Sequence, residues 1–170
     1  VEVTVDDGTG NTVSQTIQVT VTDVITMVSI DNASINENDD GAVVGTISSV
    51  IDDTSATDIF TYTLSGTDAA SFEVVNGELK LKDSVTANYE TQSSYSVTVT
   101  ATDSGSLTTT QDFTVNVTNL NDNDPVITSN SSISMEENSN SVITVTATDA
   151  DGDNLTYSIT GGDDSSLFTI

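Results

Sequence analysis

Apolar and polar residues alternate one for one along most of this chain. In "YSVTVTAT", Tyr95, Val97, Val99 and Ala101 fall on one face and Ser96, Thr98, Thr100 and Thr102 on the other. "DFTVNVT" does the same with Phe113, Val115 and Val117. A period of two with abundant Thr and Val is the pattern of half-buried strands. No window carries a helical stripe of useful length. "VVNGELKL" reads as a hairpin, because Asn76-Gly77 supplies the positive φ angles of a tight turn. Short strands separated by Asp, Asn, Gly and Ser turns indicate antiparallel sandwiches, so the chain is expected to be all-β.

The alternation also repeats at long range. "VTVDDGTGNTVSQTIQVTVTDV" (Val3 to Val24) lies over "VTATDSGSLTTTQDFTVNVTNL" (Val99 to Leu120), with Asp7 on Asp103, Ile17 on Phe113 and Val21 on Val117. "SINEND" lies over "SMEENS", Tyr62 corresponds to Tyr157, and "DAASFEV" corresponds to "DDSSLFTI". The reading is therefore the last strands of one unit in 1–24, a complete unit in 25–121 and the first half of a third in 122–170. Both ends look cut from something longer. The terminal half-units are expected to expose apolar strand edges unless the chain continues or neighbouring copies complete them.

Charge narrows the function. Two cations, Lys80 and Lys82, stand against 27 Asp plus Glu, a formal charge of −25. Nucleic-acid binding is excluded because nothing could neutralise phosphates, and anionic membrane surfaces would repel the chain. The lysines alternate with leucine and are expected to face solvent. The absence of Cys removes disulfides and thiolate sites, and the absence of His removes the usual general base. No apolar run reaches the roughly 20 residues of a membrane span, so no direct membrane insertion is expected. Four N-x-S/T matches, at Asn32, Asn116, Asn130 and Asn154, come in a chain rich in Ser, Thr and Asn.

The densest polar stretch is "NLNDNDP", Asn119 to Pro125, which closes on the only proline. By itself it fits a solvated turn or a set of oxygen ligands. Together with "INEN", "NYE" and "DAD", the chain resembles the cadherin-like repeats, and the bacterial surface version more than the animal one. The resemblance covers essentially the whole chain. It implies tandem Greek-key β-sandwiches, immunoglobulin-like in architecture and arranged in series, with calcium held between successive units. Carried over residue by residue, it places Glu37, Asn88 and Glu90 on the preceding unit. It places Asn121, Asp122 and Asn123 in the linker, and Asp149, Asp151 and a backbone carbonyl near Asn154 on the following unit. Asn88 and Asn119 stand where the family usually has acids. The chemistry agrees, since Ca2+ takes 6–8 hard oxygen ligands from carboxylates, amides and carbonyls. Pro125 stiffens the linker and holds Asp124 extended. "ATDADGDN" also opens like an EF-hand loop, but Thr160 stands where the closing Glu belongs and strands flank it.

The first junction reads differently. "DVITMVS" keeps only Asp23, and "SSVIDDTS" leaves Asp53 or Asp52 in place of a D-x-D motif. Asp103 would face this poor junction. A weak or absent metal site is expected there, with direct packing of Ile25, Met27 and Val28 as its substitute. The resemblance implies an extracellular, cell-surface spacer or adhesion segment of a large protein or filament, not an enzyme. Its candidate partners are other repeats of the same chain, neighbouring copies, and cell-surface glycans or proteins. A polysaccharide-binding module is the alternative. It would need exposed aromatics, whereas Tyr62, Tyr95 and Tyr157 are expected in the core.

Overall fold

The computed structural model describes residues 1–19, 24–52 and 59–170. Among these the regular structure is β-strand, with two short 3-10 turns, Ala69–Ser71 and Ser165–Leu167. The first strands, β1 (Glu2–Asp6) and β2 (Thr12–Thr16), form an antiparallel hairpin. Eight strands then build a two-sheet sandwich: β3 (Ile25–Ile30), β4 (Ser34–Asn36), β5 (Val43–Ile51), β6 (Thr61–Ser65), β7 (Phe72–Val75), β8 (Glu78–Leu81), β9 (Ser94–Thr102) and β10 (Thr108–Thr118). One sheet has the order β4-β10-β9-β6 and the other β3-β5-β8-β7. A last pair, β11 (Val126–Ile127) with β12 (Ala147–Thr148), lies beyond the linker.

The alternation read from the sequence sets the core. Val97, Val99 and Ala101 of β9 and Val115 of β10 are fully buried, while Ser96 and Thr98 look outward. The facing sheet contributes Val44, Ile47, Phe72, Leu79 and Leu81. Phe72 and Tyr95 meet edge to face across the sandwich at 5.5 Å, a favoured aromatic geometry. The β7–β8 hairpin turns at Asn76 (φ 52°) and Gly77 (φ 83°), as the Asn-Gly pair predicts.

The long-range repeat also has a structural counterpart. Asp103 accepts the Leu107 N–H at 2.8 Å and closes the β9–β10 turn. Asp7 accepts the Asn11 N–H at 3.2 Å in the equivalent β1–β2 turn. The carboxyl of Asp7 is held well below the usual range, first by the Thr9 hydroxyl and then by the Asn11 amide. The two copies differ in burial: Val99 is fully covered, whereas Val3 is 43% exposed.

Three expectations are corrected. Ile25 and Val28 are buried in the sandwich core itself, and Met27 is half exposed. A β-bulge between Ile25 and Met27 changes the phase of the strand, so Ile25 and Val28, three positions apart, both reach the sandwich core. Tyr157 is 41% exposed, and its hydroxyl accepts the Ala147 N–H. Lys80 is largely covered, with Nζ 2.7 Å from Asp83 Oδ1 and 3.8 Å from Glu73 Oε1. Asp23 and Asp53 lie outside the described residues. Asp52 accepts the Val24 N–H at 3.1 Å.

Candidate metal centre

The site is assembled at the end of the β4-β10-β9-β6 sheet where β10 runs into the linker. β4 runs parallel to the end of β10, pairing Asn36 with Thr118. The next residue, Glu37, therefore arrives where β10 gives way to the linker, and its N–H donates to the Thr118 carbonyl. The Glu37 side chain is wholly buried. Its Oε1 accepts the Leu120 N–H at 2.6 Å and its Oε2 the Tyr89 N–H at 2.9 Å. A buried carboxylate without a cation is tolerated only with donors of this kind. Here the two donors also tie the linker and the turn before β9 to one side chain.

That turn presents Glu90. Its closing bonds are Gln92 N–H to the Asn88 carbonyl at 3.0 Å and Thr91 N–H to Asn88 Oδ1 at 2.9 Å. The side chain of Asn88 is thus turned into its own turn, where it also accepts the Thr91 hydroxyl. Asp122 comes from the linker. Asp151 comes from the loop after β12, where Asp149 Oδ1 accepts the Asp151 N–H at 2.9 Å and shapes the turn.

Four of the residues expected as ligands meet: Glu37, Glu90, Asp122 and Asp151 each offer a carboxylate oxygen, all within 4.8 Å of one another. Asp149 contributes to the loop rather than to this group. Asn123 joins the two sides, its N–H donating to Asp151 Oδ2 at 2.8 Å and its Nδ2 to Asp151 Oδ1 at 3.1 Å. The Nδ2 of Asn121 donates to Asp153 Oδ2. Asn154 is exposed, and no hydrogen bond among the described residues ties it to the group.

Sequence reasoning left two neighbours out of the set. Asn38 donates from Nδ2 to Asp122 Oδ2 at 2.6 Å. Asn119 donates from Nδ2 to the Asp151 carbonyl at 2.9 Å, while its own Oδ1 is buried without a hydrogen-bond partner. The position of Asn119 at the head of the linker motif was the available signal. Nothing in the motif pointed to Asn38.

The electrostatics fit a hard cation. The chain's two lysines are occupied elsewhere, Lys80 by Asp83 and Glu73 and Lys82 by the Ala70 carbonyl. The four carboxylates therefore face one another without a cationic side chain. For Glu90, its own backbone N–H draws the carboxyl down. Desolvation, the hydrogen bond with Asp151 and the charges of Glu37 and Asp122 outweigh this, and its pKa is raised. Asp151 moves the other way, chiefly because the Asn123 N–H stabilises its ionised form. A donor set of carboxylates, amide oxygens and carbonyls, with an unpaired buried amide oxygen beside it, is the chemistry that suits calcium.

Comparison with known proteins follows the same lines. The cadherin domain family model matches residues 31–118. Among solved structures, human protocadherin-24 EC1-2 is similar over 74% of this chain and 61% of its own, with 25% identity and a TM-score of 0.55. The protocadherin gammaB4 extracellular domain matches over 73% of this chain and 21% of its own, with 25% identity and a TM-score of 0.56. The protocadherin gammaB7 EC3-6 cis-dimer structure matches over 88% of this chain and 38% of its own, with 25% identity and a TM-score of 0.53. This chain thus spans less than two thirds of the length of each of these three structures. No curated protein matches it. No helix among the described residues is long and apolar enough to cross a membrane. With its sandwich, its linker and a family match over more than half its length, the chain belongs to the cadherin domain family.

Proposed function

We propose that this chain is a calcium-stiffened extracellular segment of a large surface protein, acting as a spacer and in cell adhesion. The bacterial surface type is favoured by the sequence resemblance. In this reading 1–24 ends one repeat, 25–121 is a complete repeat and 122–170 begins a third. The observation that carries it is the meeting of Glu37, Glu90, Asp122 and Asp151 without a cationic side chain. They come from four separate stretches: the end of β4, the turn before β9, the linker and the loop after β12.

Calcium would neutralise these carboxylates and bridge them. Glu37 and Glu90 hold the preceding unit, Asp122 the linker and Asp151 the following unit. Asn121, Asn123, Asp149 and Asn154 complete the proposed ligand set, and Asn88 supports it through the turn that carries Glu90. Fixing these stretches to one point restricts bending between the units. The first junction keeps no comparable group among the described residues and acts as the more compliant one. The partners are other repeats of the same chain or neighbouring copies. The cadherin assignment does not favour a polysaccharide-binding module.

Small-angle scattering tests the mechanical reading. Calcium is expected to narrow the distribution of interdomain distances relative to a chelated sample. Superimposable profiles in calcium and in chelator would reject it.

A further inference from the structure

Asn38 has a φ of 67°, in the left-handed region that asparagine enters more readily than most residues. Its N–H donates to the Ala87 carbonyl at 3.0 Å, which fixes the backbone against the segment leading to Glu90. From there its Nδ2 reaches Asp122 Oδ2 at 2.6 Å, across 84 residues of sequence. The other oxygen of Asp122 accepts the Asn123 Nδ2 at 2.5 Å. A carboxylate offers about four lone-pair positions. One amide donor on each oxygen fixes the plane of the group and leaves a lone pair on both oxygens for a cation. The same backbone device recurs in the chain: Asn138, with φ 64°, directly follows Glu137 as Asn38 follows Glu37.

Resting on the calcium reading above, we propose that Asn38 is a positioning residue of the second junction. It acts through Asp122, orienting that carboxylate toward Glu37, Glu90 and Asp151, and it is not itself a ligand. Glu37 and Asn38 then form a two-residue unit. The first braces the linker backbone at Leu120, and the second aims the linker carboxylate.

The test is calorimetric titration of Ca2+ into the 170-residue chain and into Asn38→Gly, with thermal unfolding in calcium and in chelator. Glycine keeps the positive φ without strain and removes only the amide. The expected result is a Kd weakened about tenfold, the scale of a lost hydrogen bond to a charged group. The midpoint in chelator should be no lower than the parent's. An unchanged Kd, or equal losses of midpoint in chelator and in calcium, would overturn the positioning role while leaving the metal reading intact. If the parent takes up no Ca2+ at all, the metal reading itself fails and this proposal falls with it. Asn38→Asp is a second probe, replacing the donor with an acceptor that faces Asp122. Its midpoint should drop more in chelator than in calcium, and equal drops would count against the proposal.

Discussion

The Glu37 carboxylate and the Leu120 N–H are joined at 2.6 Å across 83 residues of sequence, inside a site where the glutamate has no exposed surface. Through this bond the residue that follows β4 is tied to the segment that follows β10. The same carboxylate holds Tyr89, one residue before Glu90. One buried acid thus organises three of the four stretches that meet at the junction.

Glu37→Ala is expected to destabilise the sandwich by roughly 3 kcal/mol, because it leaves two partly buried N–H donors unpaired and opens a cavity. Glu37→Gln keeps the shape and one acceptor, so it should cost about half as much in chelator. In calcium the Gln variant should lose more, since a ligand charge is gone. Urea unfolding in both conditions measures the difference.

Burial separates equivalent positions of the repeat. Val99→Ala is expected to cost roughly 2–3 kcal/mol, because its side chain is fully buried in the core. Val3→Ala, at the matching place on β1, should cost under about 0.5 kcal/mol, because Val3 is 43% exposed. Denaturation of the two single variants checks this directly.

How much of this was legible in the sequence follows from the kind of information each feature needs. The inward set Tyr95, Val97, Val99 and Ala101 was readable because strand alternation has a period of two. The meeting of Glu37, Glu90, Asp122 and Asp151 was accessible through the resemblance to cadherin-like repeats, and by nothing in the alternation pattern. The local bonds of Asn88 were not readable, because its Oδ1 accepts both the N–H and the hydroxyl of Thr91, three residues on. Ile25 and Val28 were assigned to the junction because a bulge that changes strand phase leaves no mark in the hydrophobic pattern. Asn38 was invisible because its role depends on a left-handed φ and on a partner 84 residues away.

Acidity should act on the chelated chain in two opposite steps. The folded pKa of Glu90 is raised from its ordinary 4.5, so its contribution to stability is present at low pH and is lost as pH rises through the folded value. The folded pKa of Asp151 is lowered from 3.8, so its contribution is present above that value and is lost as pH falls through the folded one. Lowering the pH through the range above 4.5 should therefore first stabilise the chelated chain, and stronger acid should destabilise it. Calcium affinity should fall throughout, because the proton on Glu90 competes with the metal. Thermal midpoints against pH, with and without calcium, test both signs.

In the proposed function, the second junction holds calcium through Asp122 and its three carboxylate neighbours. Metal content after equilibrium dialysis against calcium, for the parent chain and for Asp122→Ala, tests it most directly. At least one bound calcium per parent chain and a clear loss in the variant are expected. Equal metal content in the two, or none in either, would contradict it.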